Sequence, residues 1–335
     1  MKNFKHNKII AFFVVAIVTS KCDNNSRTTS NESPQVNYEL IKDWPQLLPG
    51  YNLGQPTGIG IDTSNHIFIF HRAGRRWTEP FPDSAISLPT ILELDNGSGK
   101  ILNSWGANYF IMPHGLTVDR NNNVWVTDVG LHQVLKFSHD GRLLMKLGVP
   151  KVQGNDSLHF NLPTDVAVDN DGSFYVSDGY GNSRVVKFSA TGKYLFQWGK
   201  HGNKPGEFNI PHAISLDNNG NVFVADRENN RIQVFDSTGI FIKELMNNEK
   251  VAQIPSLTLD NNQHLFAVDY DFKDTIVNGS TIFCYDSTGK IFLKFSGAGT
   301  NKRAVGWFHD IAVDRDGNVY AGDIHNMKVL KFKAR

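Results

Sequence analysis

A segment of about 17 residues recurs six times between residues 56 and 324. Each copy has two short stretches of alternating apolar and polar residues, separated by a turn such as Asn-Asn-Gly-Asn or Asp-Gly-Asn. Alternation with period two on both sides of a tight turn predicts a β-hairpin. The copies read PTGIGIDTSNHIFIFHR (56–72), PHGLTVDRNNNVWVTDV (113–129), PTDVAVDNDGSFYVSDG (163–179), PHAISLDNNGNVFVADR (211–227), PSLTLDNNQHLFAVDY (255–270) and FHDIAVDRDGNVYAGDI (308–324).

Two further strands follow most copies. The third lies in stretches such as QVLKFS, RVVKFS and RIQVFD, and the fourth in LFQWG and FIKEL. Consecutive copies begin 44 to 57 residues apart, which is the spacing of four-stranded propeller blades. The sequence therefore predicts an all-β, six-bladed β-propeller, and its copies resemble the NHL repeat. Because the last copy ends at Arg335 after three strands, we expect the segment 36–44 to add its fourth strand and close the ring, leaving no long free edge.

The N-terminal segment has a different composition. Three lysines precede an apolar run over 9–18, which is too short to span a bilayer and has the charge order of a secretory signal. Cys22 follows where bacterial lipoproteins carry their lipidated cysteine, although Lys21 stands where that signal has a small residue. We therefore expect a lipoprotein-type signal peptide over 1–22, a polar tether over 23–35 and a propeller over 36–335.

These features predict an exported protein. Acylation of Cys22 would hold the propeller at a membrane surface, facing the periplasm or the cell exterior, and without it the protein would be secreted. The second cysteine, Cys284, has no partner within the propeller, so the fold is expected to depend on its apolar core. Lys and Arg number 34 and Asp and Glu 33, and the absence of a basic stripe argues against nucleic acid as a partner. No obligate protein partner is inferred.

Histidine follows the leading residue in alternate copies. Since one position of each blade lies at one height around a propeller's channel, this position predicts a ring of side chains. The ring reads Thr57, His114, Thr164, His212, Ser256 and His309. A single histidine at a strand mouth is more often a hydrogen-bonded structural residue. Three in alternate blades converge from directions about 120° apart and leave a fourth position open, as in catalytic zinc sites.

The other nine histidines share no such position. His66 and His264 lie in hairpin turns and are interpreted as surface residues.

Longer stretches resemble peptidyl-α-hydroxyglycine α-amidating lyase, the lyase module of the peptidylglycine α-amidating enzymes and itself an NHL-type six-bladed propeller. The resemblance runs from about Leu48 to Phe332. It is carried by MPHGLTVD, LPTDVAVD, VSDGYGNSRVVKFSATGKYLFQWG, IPHAISL, VADRENNRIQVF and FHDIAVDRDGNVYAGD, with IFIFHRAGRRW near the front. It implies a lyase that cleaves the C–N bond of a peptidyl- or N-acyl-α-hydroxyglycine into an amide and glyoxylate.

The resemblance also implies two metal ions. A catalytic Zn²⁺ would be held by the same three histidines that form the alternating ring. A structural Ca²⁺ would be held by one carboxylate and two backbone carbonyls, which fall on Asp310, Ile59 and Leu116. Calcium prefers such oxygen ligands, but a buried aspartate at a blade entrance could equally cap backbone amides.

Three further residues match the family's active site: Tyr180, Arg72 and Arg227. With zinc orienting the substrate hydroxyl and carboxylate, Tyr180 would accept the hydroxyl proton, and a nearby cation, for which Arg72 is the candidate, would stabilise its phenolate. Arg227 would bind the substrate carboxylate with its guanidinium fork. Alternatively, Tyr180 is a turn residue, and Arg227 pairs with Glu228 or with Asp226.

The chain departs from the family pattern at several positions. Trp307 and Phe308 stand before His309 where the family has a Met-Pro pair, which is expected to change the pocket wall. Gly181 and Asn161 occupy the positions of one cysteine pair of the animal enzymes. Two other functions therefore stay open: a metal-dependent lactonase or esterase, in which the same histidines activate water, and a non-catalytic NHL binding propeller. Release of glyoxylate separates the lyase from both.

Overall fold

Each repeated hairpin folds into the two inner strands of one blade. The computed structural model describes residues 37–245, 251–273, 276–286, 288–300 and 303–335. In this part of the chain the strands form six antiparallel sheets. The first strand of each sheet packs against the first strand of the next, and the sixth packs against the first. The predicted all-β, six-bladed β-propeller is confirmed.

The strands of the first three blades follow one another in sequence. Blade 1 contains β2 (Pro56–Ile61), β3 (Ile67–His71), β4 (Ile91–Leu94) and β5 (Ile101–Trp105). Blade 2 contains β6 (Pro113–Val118), β7 (Val124–Asp128), β8 (Gln133–Phe137) and β9 (Leu143–Leu147). Blade 3 contains β10 (Pro163–Val168), β11 (Phe174–Asp178), β12 (Arg184–Phe188) and β13 (Tyr194–Trp198).

The remaining blades include one short helical turn and one additional strand. Blade 4 contains β14 (Pro211–Leu216), β15 (Val222–Asp226), the 3₁₀ turn Arg227–Asn229, β16 (Arg231–Phe235) and β17 (Phe241–Leu245). Blade 5 contains β18 (Gln253–Leu259), β19 (Leu265–Lys273), β20 (Ile276–Tyr285), β21 (Ile291–Ser296) and β22 (Gly299–Thr300). Blade 6 contains β23 (Phe308–Val313), β24 (Val319–Asp323), β25 (Lys328–Ala334) and β1 (Tyr38–Ile41).

The ring is closed by the two ends of the propeller sequence, as predicted. Strand β1 pairs antiparallel with β25, with Tyr38 opposite Ala334 and Ile41 opposite Lys331. The Tyr38 ring also stacks on Phe295 of blade 5, with centroids 4.3 Å apart. The outer edge of blade 6 is thereby covered by a strand from the other end of the chain, which removes a long unpaired edge.

An aspartate fixes the hairpin turn between the first two strands of five of the six blades. In blade 4, one carboxylate oxygen of Asp217 accepts the N–H groups of Asn219 and Asn221 at 2.9 and 2.8 Å. Gly220 between them has a φ of 79°, a left-handed conformation that glycine adopts without strain. The Asp-x-x-Gly-Asn spacing therefore specifies the turn locally.

The apolar core lies between neighbouring blades. Phe68 and Phe70 of blade 1, for example, belong to one buried cluster with Val124 and Val126 of blade 2. Cys284 is buried in the corresponding cluster between blades 5 and 6. Each blade is therefore stabilised mainly by its two neighbours.

The predicted signal peptide (1–22), tether (23–35) and lipidation site Cys22 lie outside the described residues and stay predictions. Within the part of the chain that the structure describes, no helix has the length and apolarity that crossing a membrane requires.

Candidate active site in the propeller channel

Three histidines meet in the channel. His114, His212 and His309 are each the second residue of the first strand of blades 2, 4 and 6. Their ring centroids lie 4.7, 4.7 and 4.9 Å apart, and all three side chains are buried. One ring nitrogen of each lies within 4.8 Å of the others. The strand register therefore produces the convergence that the alternating pattern predicts.

The hydrogen bonds of the three rings define which nitrogen faces the channel axis. Each Nδ1 donates to a backbone oxygen of the next blade: His114 to Thr164 at 2.7 Å, His212 to Pro255 at 2.7 Å and His309 to Thr57 at 3.0 Å. Because a carbonyl only accepts, Nδ1 carries the proton and Nε2 keeps its lone pair. Burial lowers the pKa of His114 and His212 well below the ordinary value and that of His309 to about 3.

This set of donors fits a transition metal ion. Three neutral imidazoles, each oriented by a hydrogen bond to a backbone carbonyl, present Nε2 lone pairs to one point. Backbone carbonyls that accept the other ring N–H are usual partners of metal-bound histidine, and three ligands leave a fourth position for substrate.

The structure corrects the ring in blade 5. The position equivalent to Thr57 is Pro255, not Ser256, because Pro255 supplies the carbonyl that His212 contacts. Strand β18 also begins at Gln253, opposite Tyr270. The error came from aligning this copy by its proline, which in blade 5 stands one position later than in the other copies. The histidine positions are unaffected.

Tyr180 lies against two of the three histidines. Its hydroxyl is 3.1 Å from His114 Nε2 and 2.9 Å from His212 Nε2. Arg227 Nη1 donates to the same hydroxyl at 3.2 Å, and its guanidinium lies 5.2 Å from the centroid of the Tyr180 ring. Tyr180 lies in the turn that follows β11, and this turn therefore places the phenol in contact with the histidine centre.

The two arginines have different surroundings. Arg227 contacts Tyr180 and also donates from Nε to Glu228 at 2.9 Å, so one of the two alternative pairings is present. Asp226 instead binds Arg231. Arg72 is buried, which lowers its pKa to about 10.

Arg72 donates to the carbonyl of Pro113 at 3.1 Å and to Gln55 at 2.9 Å. Within the described part of the chain, these contacts do not include a hydrogen bond to the Tyr180 hydroxyl. The cation that donates a hydrogen bond to the phenol is thus Arg227. Arg72 lies close enough to Tyr180 for their charges to interact, and its predicted role stays a prediction.

The three residues of the predicted calcium site line one cavity of about 310 Å³: Asp310, Ile59 and Leu116. In the structure the Asp310 carboxylate accepts the Ile59 N–H and the Ser256 hydroxyl, each at 2.5 Å. Burial raises the Asp310 pKa to about 7. This is the amide-capping arrangement of the alternative interpretation, and the calcium site stays a prediction.

The two residues before His309, Trp307 and Phe308, have different surroundings. Phe308 is buried in the apolar cluster between blades 5 and 6. Contrary to the expectation from the sequence, it therefore does not form part of the pocket wall. Trp307 stacks on Tyr270 and Phe272, with ring centroids 4.5 and 5.1 Å away. Gly181 and Asn161, at the position of a family cysteine pair, are neighbours joined by a backbone hydrogen bond of 3.0 Å.

Sequence reasoning missed an apolar wall beside Tyr180. Trp77 lies 5.2 Å from the Tyr180 ring and 4.9 Å from Phe81. Both aromatic residues come from the segment between β3 and β4 and pack with Met112 and Leu162. The available signal was the length of this segment, which carries two aromatic residues where the other blades have a short turn.

Fold and site define the class: an NHL-repeat propeller with a three-histidine centre in its channel. The NHL repeat model matches residues 110–137, 160–188 and 208–235. Peptidyl-alpha-hydroxyglycine alpha-amidating lyase 1 of Drosophila melanogaster is 33% identical over 350 residues, covering 90% of this chain and 62% of the relative. Peptidyl-glycine alpha-amidating monooxygenase B of Xenopus laevis is 40% identical over 320 residues, covering 89% of this chain and 36% of that relative.

The chain is a homologue of the peptidyl-α-hydroxyglycine α-amidating lyases, and the family predicted from the sequence is confirmed. It spans about a third of the length of the monooxygenase relatives and less than two thirds of the Drosophila lyase. Among solved structures, a streptogramin B lyase superposes with a TM-score of 0.57 at 16% identity, covering 90% of this chain and 98% of that one. At this identity the likeness shows the propeller fold alone.

Proposed function

We propose that the protein is a metal-dependent lyase that converts a peptidyl- or N-acyl-α-hydroxyglycine into the corresponding amide and glyoxylate. The observation that carries the proposal is the contact of Tyr180 with two of three neutral, convergent histidines in a homologue of the amidating lyases. The histidines that would hold the metal and the side chain proposed to accept the proton therefore lie within hydrogen-bond distance of each other.

The histidines would hold Zn²⁺, for which three imidazole ligands with an open position are typical. When bound, this ion supplies a Lewis acid that binds substrate oxygens and makes the substrate hydroxyl more acidic. The protein's part is to present three Nε2 atoms in fixed orientation, since every Nδ1 is held by a carbonyl of the next blade.

Tyr180 is assigned the proton transfer. The reaction breaks the C–N bond of the hemiaminal carbon, its hydroxyl loses a proton as the aldehyde of glyoxylate forms, and the departing nitrogen gains a proton to become the amide. The Tyr180 oxygen, as phenolate, accepts the hydroxyl proton, and no oxidant or reductant is required. Arg227 stabilises that phenolate because its Nη1 donates to the same oxygen.

The contacts suggest separate tasks for the two arginines. Arg227 reaches the histidine centre, has its side chain 13% exposed and is assigned the substrate carboxylate as well. Arg72 is a positioning residue, because its guanidinium holds the carbonyl of Pro113, the residue before His114. The aromatic wall of Trp77 and Phe81 favours an apolar group next to the scissile bond.

The test is glyoxylate release from an N-acyl-α-hydroxyglycine by the purified protein. We expect turnover by the wild type, and loss of both bound metal and turnover in His212→Ala. His264→Ala is the matched control, since that histidine lies near a turn of blade 5 with its side chain 45% exposed, and it should retain both. Hydrolysis of an ester or lactone without glyoxylate release would instead indicate a water-activating hydrolase. Absence of both metal and turnover would indicate a binding propeller.

A further inference from the structure

A second group of metal-type ligands lies outside the channel, where blade 1 meets blade 2. Asp62 and His66 flank the turn between β2 and β3, Glu93 lies in β4, and His139 lies in the turn between β8 and β9 of blade 2. One ligand atom from each of the four lies within 4.8 Å of the others. The interpretation of His66 as a simple surface residue is therefore incomplete.

The four side chains face a common point. His66 Nδ1 lies 2.9 Å from Glu93 Oε1 and 3.2 Å from Asp62 Oδ2. His139 Nε2 lies 2.9 Å from the same Asp62 oxygen and 3.6 Å from the same Glu93 oxygen. The carboxylates are almost fully buried, with side-chain exposures of 1% for Asp62 and 8% for Glu93.

One buried ring nitrogen of this group forms no hydrogen bond. His66 Nδ1 is shielded from solvent and has no hydrogen-bond partner with acceptable geometry, even though two carboxylate oxygens lie within 3.2 Å. A buried ring nitrogen without such a bond loses its hydration without replacement. A cation placed between the nitrogen and the oxygens would satisfy all of these lone pairs together.

The turn itself does not require this arrangement, as blade 5 shows. There Asp260 accepts the backbone N–H of His264 at 2.8 Å, as Asp62 does for His66. However, His264 Nδ1 forms an ordinary hydrogen bond with Asp260 at 3.0 Å.

The strand partner of the turn also differs between the two blades. Glu93 stands opposite Phe68 in blade 1, and the same place opposite Phe266 in blade 5 is taken by Cys284. The two extra ligands, Glu93 and His139, are thus features of the boundary between blades 1 and 2.

We propose that Asp62, His66, Glu93 and His139 bind a divalent transition metal ion, with Zn²⁺ as the best match, and that this ion fastens blade 1 to blade 2. Imidazole nitrogens and carboxylate oxygens are both zinc ligands, and a set of four suits the ion's tetrahedral coordination. His139 is the one ligand from blade 2, so the ion would hold its turn against blade 1.

The test is to measure, by elemental analysis after equilibrium dialysis, how many zinc ions each full-length chain binds. The variant is His66→Ala with His139→Ala, because these side chains are 32% and 38% exposed and the turn is held by the Asp62 carboxylate through backbone N–H groups. We expect it to bind one zinc fewer than the wild type, to show a smaller zinc-dependent rise in Tm because only the channel ion remains, and to keep the wild-type rate of glyoxylate release. Glu93→Gln, which keeps the side-chain volume, should weaken zinc binding in the same direction.

His264→Ala is the control and should bind as much zinc as the wild type. His212→Ala separates this site from the channel, since it should lose the channel ion and still retain the ion at the blade boundary. Equal zinc content in the wild type and the double variant, in the presence of a normal Tm, would overturn the proposal. So would an equal loss of zinc in His264→Ala.

Discussion

At the scale of single residues, the site depends on where one phenol oxygen lies. The Tyr180 hydroxyl has two imidazole acceptors and one guanidinium donor within 3.2 Å. Since a hydroxyl carries a single proton, it can donate to His114 or to His212 at any moment while accepting from Arg227. An oxygen held in this way is already positioned to exchange a proton with a group bound at the histidines.

Replacing Tyr180 by Phe is expected to remove the proton acceptor and leave the packing against Trp77 in place. Turnover should fall by about 10²-fold or more, because positioned acid–base groups contribute factors of this size. Zinc content and Tm should stay close to the wild type. The measurement is the rate of glyoxylate release together with elemental analysis of the purified variant.

Tyr270→Phe is the matched control for this substitution. Tyr270 is a neighbouring buried phenol whose pKa burial raises to about 12, and it stacks on Trp307. This variant should keep most of its turnover. If Tyr180→Phe released glyoxylate at a near-normal rate, another group would have to accept the proton.

At the scale of the blade, one aspartate recurs at the end of the second strand. It accepts an N–H from the segment that precedes the first strand of the same blade, and it is buried in every case. The five positions are Asp128, Asp178, Asp226, Asp269 and Asp323, with acceptor contacts to residues 111, 161, 209, 252 and 307. In blade 1 the position is taken by His71, whose pKa burial lowers to about 4.

Asp226 shows what this position contributes to stability. Its carboxylate accepts the Asn209 N–H at 2.7 Å and binds Arg231 Nε at 2.8 Å. Asp226→Asn leaves the buried Arg231 without its innermost partner, and such changes cost about 3 kcal/mol or more. We expect the free energy of unfolding to fall by roughly that amount in urea titrations.

Glu244→Gln supplies the comparison for Asp226→Asn. Glu244 contacts the same Arg231 at 2.8 Å but has its side chain 24% exposed, so its loss should cost about 1 kcal/mol or less. Equal losses in the two variants would show that burial of the pair does not decide its contribution.

At the scale of the whole molecule, closing the ring brings together groups from opposite ends of the chain. Asp310 of blade 6 accepts the N–H of Ile59 in blade 1 and the hydroxyl of Ser256 in blade 5. The channel is thus crossed by polar contacts that join three blades. A cation bound at this point would act on the ring as a whole.

If Asp310, Ile59 and Leu116 hold Ca²⁺, adding calcium to the metal-free protein should raise its Tm. Binding to the folded state alone gives about 2.7 kcal/mol at a hundred times the Kd. Asp310→Asn should abolish the rise, whereas Asp165→Asn, at the other carboxylate facing the same cavity, should retain a response. An unchanged calcium response in Asp310→Asn would exclude this site, and no response in the wild type would assign Asp310 to amide capping.

The sequence by itself determined the number of blades, the closing strand and the three channel histidines. The physical reason is that these features depend on local chemistry. Turn residues and alternation set each hairpin, and a position repeated in phase becomes a ring once the blades close. The alignment error in the fifth copy did not affect the predicted histidine positions, because each histidine is placed by the register of its own blade.

Only the tertiary structure decided which side chains meet between blades. It gave Tyr180 a hydrogen bond from Arg227, placed Trp77 beside the phenol, turned Phe308 into the core, and gathered Asp62, His66, Glu93 and His139 at one boundary. Such contacts depend on the path of the connecting segments and on how one blade packs against the next. The path of the connecting segments and the packing between blades do not follow from the period of the repeat. The period predicts the strands of each blade, but it does not predict which side chains of the neighbouring blade will contact them.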